Sequence, residues 1–292
     1  MSDTLASLRH QIDGAHKLES VVRTMKVLAA SSVSQYEAAV RALADYERAL
    51  NLGLSVCLRQ GGPIALPPSK SGAPAEVFAI IFGSDRGLVG QFNENMAEFA
   101  AAKLNALPGR KNVWAVGERM FGCLTDLALQ PIAQFGVPVS VAGITPLIGE
   151  MQAAIESRGV WERFAPFYVF HSRPQAMTAY APASRRLLPL DNQWRRDLVK
   201  MKWPTQRLPE VIGGDESALR GFIREYFFIS LFQACAESLA AENASRLAAM
   251  QRAEKNIDEL CQKLTRVFHR LRQNSIDAEL FDVVAGYNSL NV

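Results

Sequence analysis

The sequence predicts an α/β protein in which two long terminal helices form an antiparallel coiled coil and an α/β domain is inserted between them. Three observations support this prediction. Two long segments contain neither glycine nor proline, both have apolar residues at coiled-coil spacing, and short β-branched and aromatic runs alternate with helical patterns between them. The predicted division is 1–60 for the N-terminal helix, 75–209 for the α/β domain and 215–292 for the C-terminal helix.

Length and charge limit the possible classes of protein. A chain of 292 residues corresponds to about two structural units and needs no disulfides to build a core. Hydrophobic residues make up 49% and charged residues 21%, which excludes a disordered chain. Lys plus Arg exceeds Asp plus Glu by 32 − 29 = 3, a surplus too small to predict nucleic-acid binding over the whole surface.

The N-terminal helix is predicted from residues 15–52, which lack glycine and proline. Alternate steps of three and four residues from Leu5 to Leu54 visit 15 positions, and 12 of them are apolar. This spacing averages 3.5 residues, the repeat of a left-handed coiled coil.

The middle of the chain contains five candidate strands, written here as sequence: AEVFAIIFG, NVWAVG, PIAQFGV, RFAPFYVFHS and SRRLLPL. Two helical patterns, EFAAAKLNAL and ITPLIGEMQAAIES, separate them. This alternation predicts a Rossmann-like domain with a mainly parallel sheet. Turn-rich linkers are predicted at residues 61–74 and 203–215.

The C-terminal helix is predicted from residues 222–285, a segment of 64 residues without glycine or proline. A continuous helix of that length would extend for about 96 Å. Asp215 is a suitable N-cap, and the helix is expected to end near Gly286. Its coiled-coil positions are apolar at 15 of 19 places, with Asn243, Arg246 and Asn274 among the polar exceptions. The simplest pairing is antiparallel within the chain, and the shorter helix then covers only part of the longer one.

A glycine-containing loop, Gly83-Ser84-Asp85-Arg86-Gly87-Leu88-Val89-Gly90, lies between a predicted strand and a predicted helix, where phosphate-binding loops occur. It has neither the Gly-Lys-Ser/Thr ending of a P-loop nor the G-x-G-x-x-G order. A structural turn with an ion pair between Asp85 and Arg86 is therefore the favoured interpretation.

Cations without neighbouring acids occur on both long helices. One run contains Arg23 and Lys26, and the other contains Lys263, Arg266, Arg270 and Arg272. In an antiparallel pair the two runs are predicted to form one basic belt, the alternative being a solvated helix face.

No catalytic, cofactor-binding or metal-binding group of residues is predicted. Ser84 has no nearby histidine, the four cysteines are far apart, and His171 and His269 are expected at a surface or interface. The N-terminus has no apolar leader, and no segment has the apolar length of a membrane span, so a soluble cytoplasmic protein is expected.

Three motifs resemble the gamma subunit family of the rotary ATP synthase. The segment from Thr24 to Ser31 resembles A-M-K-M-V-A-A-S, and the segment from Ser84 to Asn93 resembles S-D-R-G-L-C-G-G-Y-N. The C-terminal motifs 242–250, 272–279 and 284–286 follow in the family's order. Departures at Gln91-Phe92, at His269 and at Ser31-Ser32 indicate a divergent bacterial-type member. The paired-cysteine insertion of the redox-regulated chloroplast members is not seen.

This resemblance implies a non-catalytic rotor that couples transmembrane ion flow to ATP synthesis or hydrolysis by rotating inside a ring of alpha and beta subunits. The implied partners are the alpha and beta subunits, the epsilon subunit and the ring of c subunits, at the cytoplasmic face of the plasma membrane and without a span of its own. Contacts with partners are expected at ten residues: Met25, Lys26, Arg246, Lys263, Arg266, Arg270, Arg272, Gln273, Phe281 and Val284. From composition, residues 281–292 are expected to form an apolar end that seats in a sleeve of the ring.

Two other functions remain open from the sequence. One is a nucleotide-dependent enzyme whose α/β domain is active and whose helices serve for dimerisation, which nucleotide binding by the isolated chain would favour. The other is a free-standing coiled-coil adaptor, which would form a stable oligomer without synthase subunits.

Overall fold

The computed structural model describes residues 4–60, 76–160, 165–175, 180–188, 192–205, 207, 209 and 215–290. The chain divides into two compact units, residues 1–29 with 247–292 and residues 30–246. The whole of linker 61–74, part of linker 203–215 and the last two residues lie outside the described residues.

Six α-helices and five strands follow one another in the described chain. The helices are α1 (Leu5–Gln60), α2 (Phe92–Asn105), α3 (Glu118–Asp126), α4 (Ile144–Ser157), α5 (Asn192–Lys200) and α6 (Asp215–Leu290). The strands are β1 (Glu76–Phe82), β2 (Arg110–Val116), β3 (Ala133–Phe135), β4 (Phe167–Arg173) and β5 (Ala181–Leu188), and a short 3₁₀ turn (Val141–Gly143) precedes α4.

The two long helices are antiparallel within each unit, as the sequence predicts. In the second unit, Tyr46 of α1 donates a hydrogen bond to Glu225 of α6, and Gly53 lies against Phe222. In the first unit, Lys26 of α1 donates to Glu254 of α6. The expected end of α6 near Gly286 is wrong, since the helix continues to Leu290. A single glycine lowers helix stability by only about 1 kcal/mol and need not end a helix.

The apolar positions of the coiled coil are confirmed along α1, where each predicted position is buried or half-buried. On α6 the prediction fails at Ala278, Phe281 and Ala285, which are exposed. It also fails at Leu260, which is 47% exposed while its neighbour Cys261 is 7% exposed. A straight helix has 3.6 residues per turn and drifts by about 20° per heptad against a 3.5-residue repeat, which moves the buried stripe by a residue.

The sheet lies in the second unit with strand order β3-β2-β1-β4-β5. Neighbouring strands are parallel except β5, which is antiparallel to β4. The predicted, mainly parallel sheet is therefore confirmed. Its centre is covered on both faces, so β1 is buried at nearly every residue instead of alternating between apolar and polar side chains.

Successive residues of β1 contribute to different cores. Phe78, Ile80 and Phe82 pack with side chains of α4, α1 and α6. Val77, Ala79 and Ile81 pack on the opposite face with side chains of α2 and α3. This two-residue period is the geometry of a pleated strand. It places residues 30–60 and 215–246 of the long helices in the same core as the sheet.

Helices α3 and α5 were not predicted. Helix α3 has only nine residues and contains Gly122, and α5 is nine residues with four charges. Each depends on a few buried contacts, such as those of Met120 and Leu198. Among the described helices, none is long and apolar enough to cross a membrane.

Candidate functional site

The first unit presents a basic groove, defined here by Lys263, Arg266 and Arg270 of α6. These three side chains are exposed, and Glu259 and Val267 complete the lining. Their spacing of three and four residues places them on one face of the helix. Glu259, which lies just before the acid-free run, was not among the residues predicted from the sequence. The groove has two more positive than negative charges and can attract an acidic segment.

The other predicted run of cations does not join this groove. Lys26 donates to Glu254, and the Arg23 Nε lies 3.7 Å from the same carboxylate. Hydrogen bonding from Lys26 is the main reason why the pKa of Glu254 is below its usual range. Glu254 precedes Lys263 by nine residues, about 14 Å of helix rise. The prediction of one continuous basic belt is therefore wrong.

The outer side of α1 in the first unit exposes apolar residues that the sequence analysis did not select. Leu18, Val21 and Leu28 are 60%, 56% and 62% exposed, and their spacing of three and seven residues places them on one face. Met25, a predicted interface residue, follows the same spacing and is half-buried. This surface could have been predicted from the sequence, because these large apolar residues lie outside the coiled-coil positions of the helix.

Beyond Leu271, the described side chains of α6 are exposed. The predicted contact residues Arg272 and Gln273 lie at the start of this segment. Phe281 is 72% exposed and Val284 47% exposed, and Val283 is 72% exposed. Several large apolar side chains exposed on one short segment are typical of an interaction site. Side chains beyond residue 285 lie outside the described ones.

Arg246 lies in the second unit and is bound within the chain. Its guanidinium donates to the Glu242 carboxylate at 2.6 Å and to Asn243 Oδ1 at 3.2 Å. Burial raises the pKa of Glu242, as does repulsion from Asp85, and the Arg246 charge opposes that rise. A contact of Arg246 with a partner subunit stays a prediction.

The loop after β1 is built into the fold. Ser84 N–H donates to Asn93 Oδ1 at 2.9 Å, and the Asn93 amide donates to Ser84 Oγ at 2.9 Å. Both Asp85 carboxylate oxygens accept backbone N–H bonds at 3.0 Å, one from Glu118 and one from Val137. The predicted Asp85–Arg86 ion pair is therefore wrong, because Asp85 ties the loop to the start of α3 and to the segment after β3.

Helix α6 packs on this same loop. Ser245 Oγ donates to the Val89 carbonyl at 2.6 Å, and Ala241 packs with Val89 and Phe92. In open α/β sheets, ligands bind outside the carboxyl ends of the strands where the strand order reverses, here between β1 and β4. Here the loop at that edge packs against a helix, which supports a structural turn over a nucleotide site.

His171 is buried inside the chain, so its expected place at a surface or interface is wrong. The His171 Nε2 and the Arg173 Nε, both on β4, lie 2.9 and 3.0 Å from Glu237 Oε2 of α6. Burial acts to raise the pKa of Glu237, but hydrogen bonds and charge from His171 and Arg173 outweigh it and lower the pKa to about 2. His269, in contrast, is exposed as predicted.

Comparison with known proteins agrees with these observations. A family model described as ATP synthase matches residues 4–290. An ATP synthase gamma chain of Hydrogenobaculum sp. is 25% identical over 285 residues, 97% of each chain, and one of Frankia casuarinae is 27% identical over 309 residues, 99% of each chain. The rotor of the Euglena gracilis mitochondrial ATP synthase superposes with a TM-score of 0.65 at 14% identity, covering 93% of this chain and 98% of that one. That structural likeness shows a shared fold.

Proposed function

The chain belongs to the ATP synthase gamma family, and from that premise we propose that it is the central rotor subunit of an ATP synthase. The single observation that best supports this function is the surface of the first unit. Its antiparallel helix pair exposes a basic groove and large apolar side chains on different faces. Such a surface suits contact with surrounding subunits, and the unequal faces provide the asymmetry that a rotor needs.

In the proposed mechanism, ion flow through the membrane part of the complex turns the chain. The unequal faces of the helix pair then meet each beta subunit in turn and change its affinity for nucleotide. Catalysis takes place in the beta subunits, and this chain supplies differential contacts. A conformational change of a binding site requires such a difference in interaction free energy between its states.

The partners in this proposal are the alpha and beta subunits, the epsilon subunit and the ring of c subunits. The complex is placed peripherally at the cytoplasmic face of the plasma membrane. We assign Lys263, Arg266 and Arg270 to acidic loops of the beta subunits, because these cations line one exposed groove. Lys26, which is paired with Glu254, and its neighbour Met25 lie outside this groove, and we assign them, with Arg272 and Gln273, to further contacts with the partner subunits. The proposal also includes the division of the chain into an N-terminal coiled-coil helix at 1–60, an α/β domain at 75–209 and a C-terminal coiled-coil helix at 215–292.

The apolar end of α6 is assigned to a sleeve formed by the alpha and beta ring. Phe281 and Val284 are exposed there. Apolar contact has little angular preference and therefore permits rotation against the sleeve. The same side chains in water would form an unfavourable exposed patch.

Co-expression of this chain with the alpha and beta subunits from the same genome tests the proposal. We expect a stoichiometric complex that hydrolyses ATP and rotates an attached bead. Failure to assemble, together with nucleotide binding by the isolated chain, would favour the enzyme alternative. A stable oligomer of the chain alone, indifferent to alpha and beta, would favour the adaptor.

A further inference from the structure

One carboxylate of α6 is bonded to the sheet in the second unit. Glu237 is 7% exposed, and its Oε2 contacts the His171 Nε2 at 2.9 Å and the Arg173 Nε at 3.0 Å, both from β4. Its other oxygen accepts a 2.9 Å bond from the Gln233 amide, one turn earlier on α6. We call Glu237, His171 and Arg173 the β4–α6 clasp.

Among the described side chains of α6, Glu237 is the one carboxylate that bonds to a strand. Glu242 binds Arg246 within α6, and Glu225 and Glu254 bind α1. Two further charged side chains lie near the clasp: Arg185 of β5 is 3.4 Å from Gln233 Oε1 and 4.0 Å from Glu47 of α1.

Most of the sheet's other contact with α6 is apolar, as in the ring contact of Phe167 with Phe227 at 5.5 Å. Apolar burial resists separation but has little dependence on direction. Hydrogen bonds weaken steeply when their angle changes, and those to charged groups are the stronger ones. The clasp therefore resists a turn or slide of α6 against the sheet more specifically than the surrounding core does.

We propose that the β4–α6 clasp fixes the angle of the α/β sheet against α6, so that torque applied to the α/β domain is passed to the helix without slip. This inference rests on the proposed rotor function. Glu237 is a positioning residue in this role, because it acts through its bonds to His171 and Arg173 on the strand. His171 and Arg173 lie two residues apart on one strand and both hold the Oε2 atom of this carboxylate.

The test uses the assembled complex with alpha and beta subunits and a bead attached through Glu98→Cys, a substitution at an exposed position of α2. Glu237→Gln keeps the size of the side chain and removes its charge. We expect normal assembly and unloaded ATP hydrolysis with a loss of stall torque measured through the bead. Glu156→Gln is the matched control, because the exposed Glu156–Arg224 ion pair also joins α6 to a helix packed on the sheet.

A second variant, at Arg173, keeps the proposal testable if Glu237→Gln does not fold. The Arg173 side chain is 55% exposed, so Arg173→Met should fold, and it should also lower stall torque, with partial recovery in Arg173→Lys. Wild-type torque in both Glu237→Gln and Arg173→Met, in assembled complexes, would overturn the clasp while leaving the rotor function intact. If the wild-type chain does not assemble with alpha and beta, the rotor function fails and this inference fails with it.

Discussion

The guanidinium of Arg246 binds the carboxylate of Glu242 one helical turn before it, at 2.6 Å, inside the second unit. Both side chains are largely buried, at 15% and 7% exposed. The pair lies near Tyr36 of α1, whose pKa is raised mainly by burial and further by Cys235 and Glu242. Arg246 therefore compensates a buried charge at the meeting of α1 and α6.

Removal of one member of this pair should cost more stability than removal of both. Arg246→Met leaves the Glu242 charge buried and unpaired, a loss of about 3–5 kcal/mol. Arg246→Met with Glu242→Gln should lose less, because no uncompensated charge remains. Chemical denaturation of the two variants and the wild type measures this difference. A double variant less stable than Arg246→Met alone would show that the pair does not act as a compensated charge.

Substitution by alanine at two glycines of α1 should change the stability of the fold in opposite directions. A Cβ at Gly53 would lie 2.5 Å from a ring carbon of Phe222, whereas a Cβ at Gly14 would meet no atom within 4 Å. Gly53→Ala should destabilise by about 1–3 kcal/mol through overpacking. Gly14→Ala should stabilise by up to about 1 kcal/mol, because alanine is the better helix former. Thermal unfolding compares them, and equal shifts would contradict the close approach at Gly53.

The clasp predicts a loss of stability in acid. The pKa of Glu237 is about 2 in the folded chain, below its ordinary value of 4.5. A lowered pKa stabilises the fold above the unfolded pKa, and this contribution is lost as the pH falls from about 4.5 towards 2. The full contribution is about 3 kcal/mol at 1.36 kcal/mol for each pKa unit.

Urea denaturation of the wild type and of Glu237→Gln between pH 6 and pH 3 measures that contribution. Their difference should shrink as the pH falls. Glu242 has a raised pKa and therefore changes the free energy of unfolding with pH in the opposite direction. Because both proteins contain Glu242, its contribution cancels when their free energies of unfolding are subtracted. A difference that stays constant over this range would mean that Glu237 does not titrate with a lowered pKa.

Neutralisation of the basic groove together with the nearby Arg272 should weaken the contact with the beta subunits. Lys263→Gln, Arg266→Gln, Arg270→Gln and Arg272→Gln in one variant remove four exposed cations, each worth about 0.2–1 kcal/mol. We expect assembly with reduced ATP-driven ion pumping for each ATP hydrolysed. Lys26→Gln is the informative comparison, since its charge is already paired with Glu254. Full pumping by the quadruple variant would show that the groove is only a solvated face.

Much of the fold could be predicted because long periodic patterns average over local errors. The coiled-coil positions of α1 have this property. The strands β1 and β4 could be predicted for another reason, because each is a short run of β-branched and aromatic residues buried at nearly every position. Helices α3 and α5 are short, and their few buried contacts leave little periodic signal. Prediction of the two charged contacts would have required the three-dimensional arrangement. The antiparallel register of α1 and α6 brings Glu254 to Lys26, and the packing of β4 on α6 brings His171 to Glu237. No local pattern in either segment specifies its distant partner.

The exposed end of α6 should be needed for a firm grip on the alpha and beta ring. Phe281 and Val283 are both 72% exposed, on a segment with no covering from α1 among the described residues. Burying each such side chain in a sleeve would contribute about 1.5–3 kcal/mol. Phe281→Ser with Val284→Ser should therefore weaken binding of the chain to the ring, and a chain shortened after Gly286 should show whether the last residues add to it.

Pull-down of alpha and beta subunits at increasing salt concentration separates this contact from that of the basic groove. Loss of binding through the apolar end should persist at high salt, because the hydrophobic effect is not screened, whereas contacts of exposed cations weaken as salt rises. Ala285→Ser is the matched control, since it changes an exposed small residue of the same segment. Unchanged binding, turnover and torque in the Phe281 and Val284 variant would contradict this prediction. The ring would then bind the helix pair elsewhere, for example around the exposed Leu18, Val21 and Leu28.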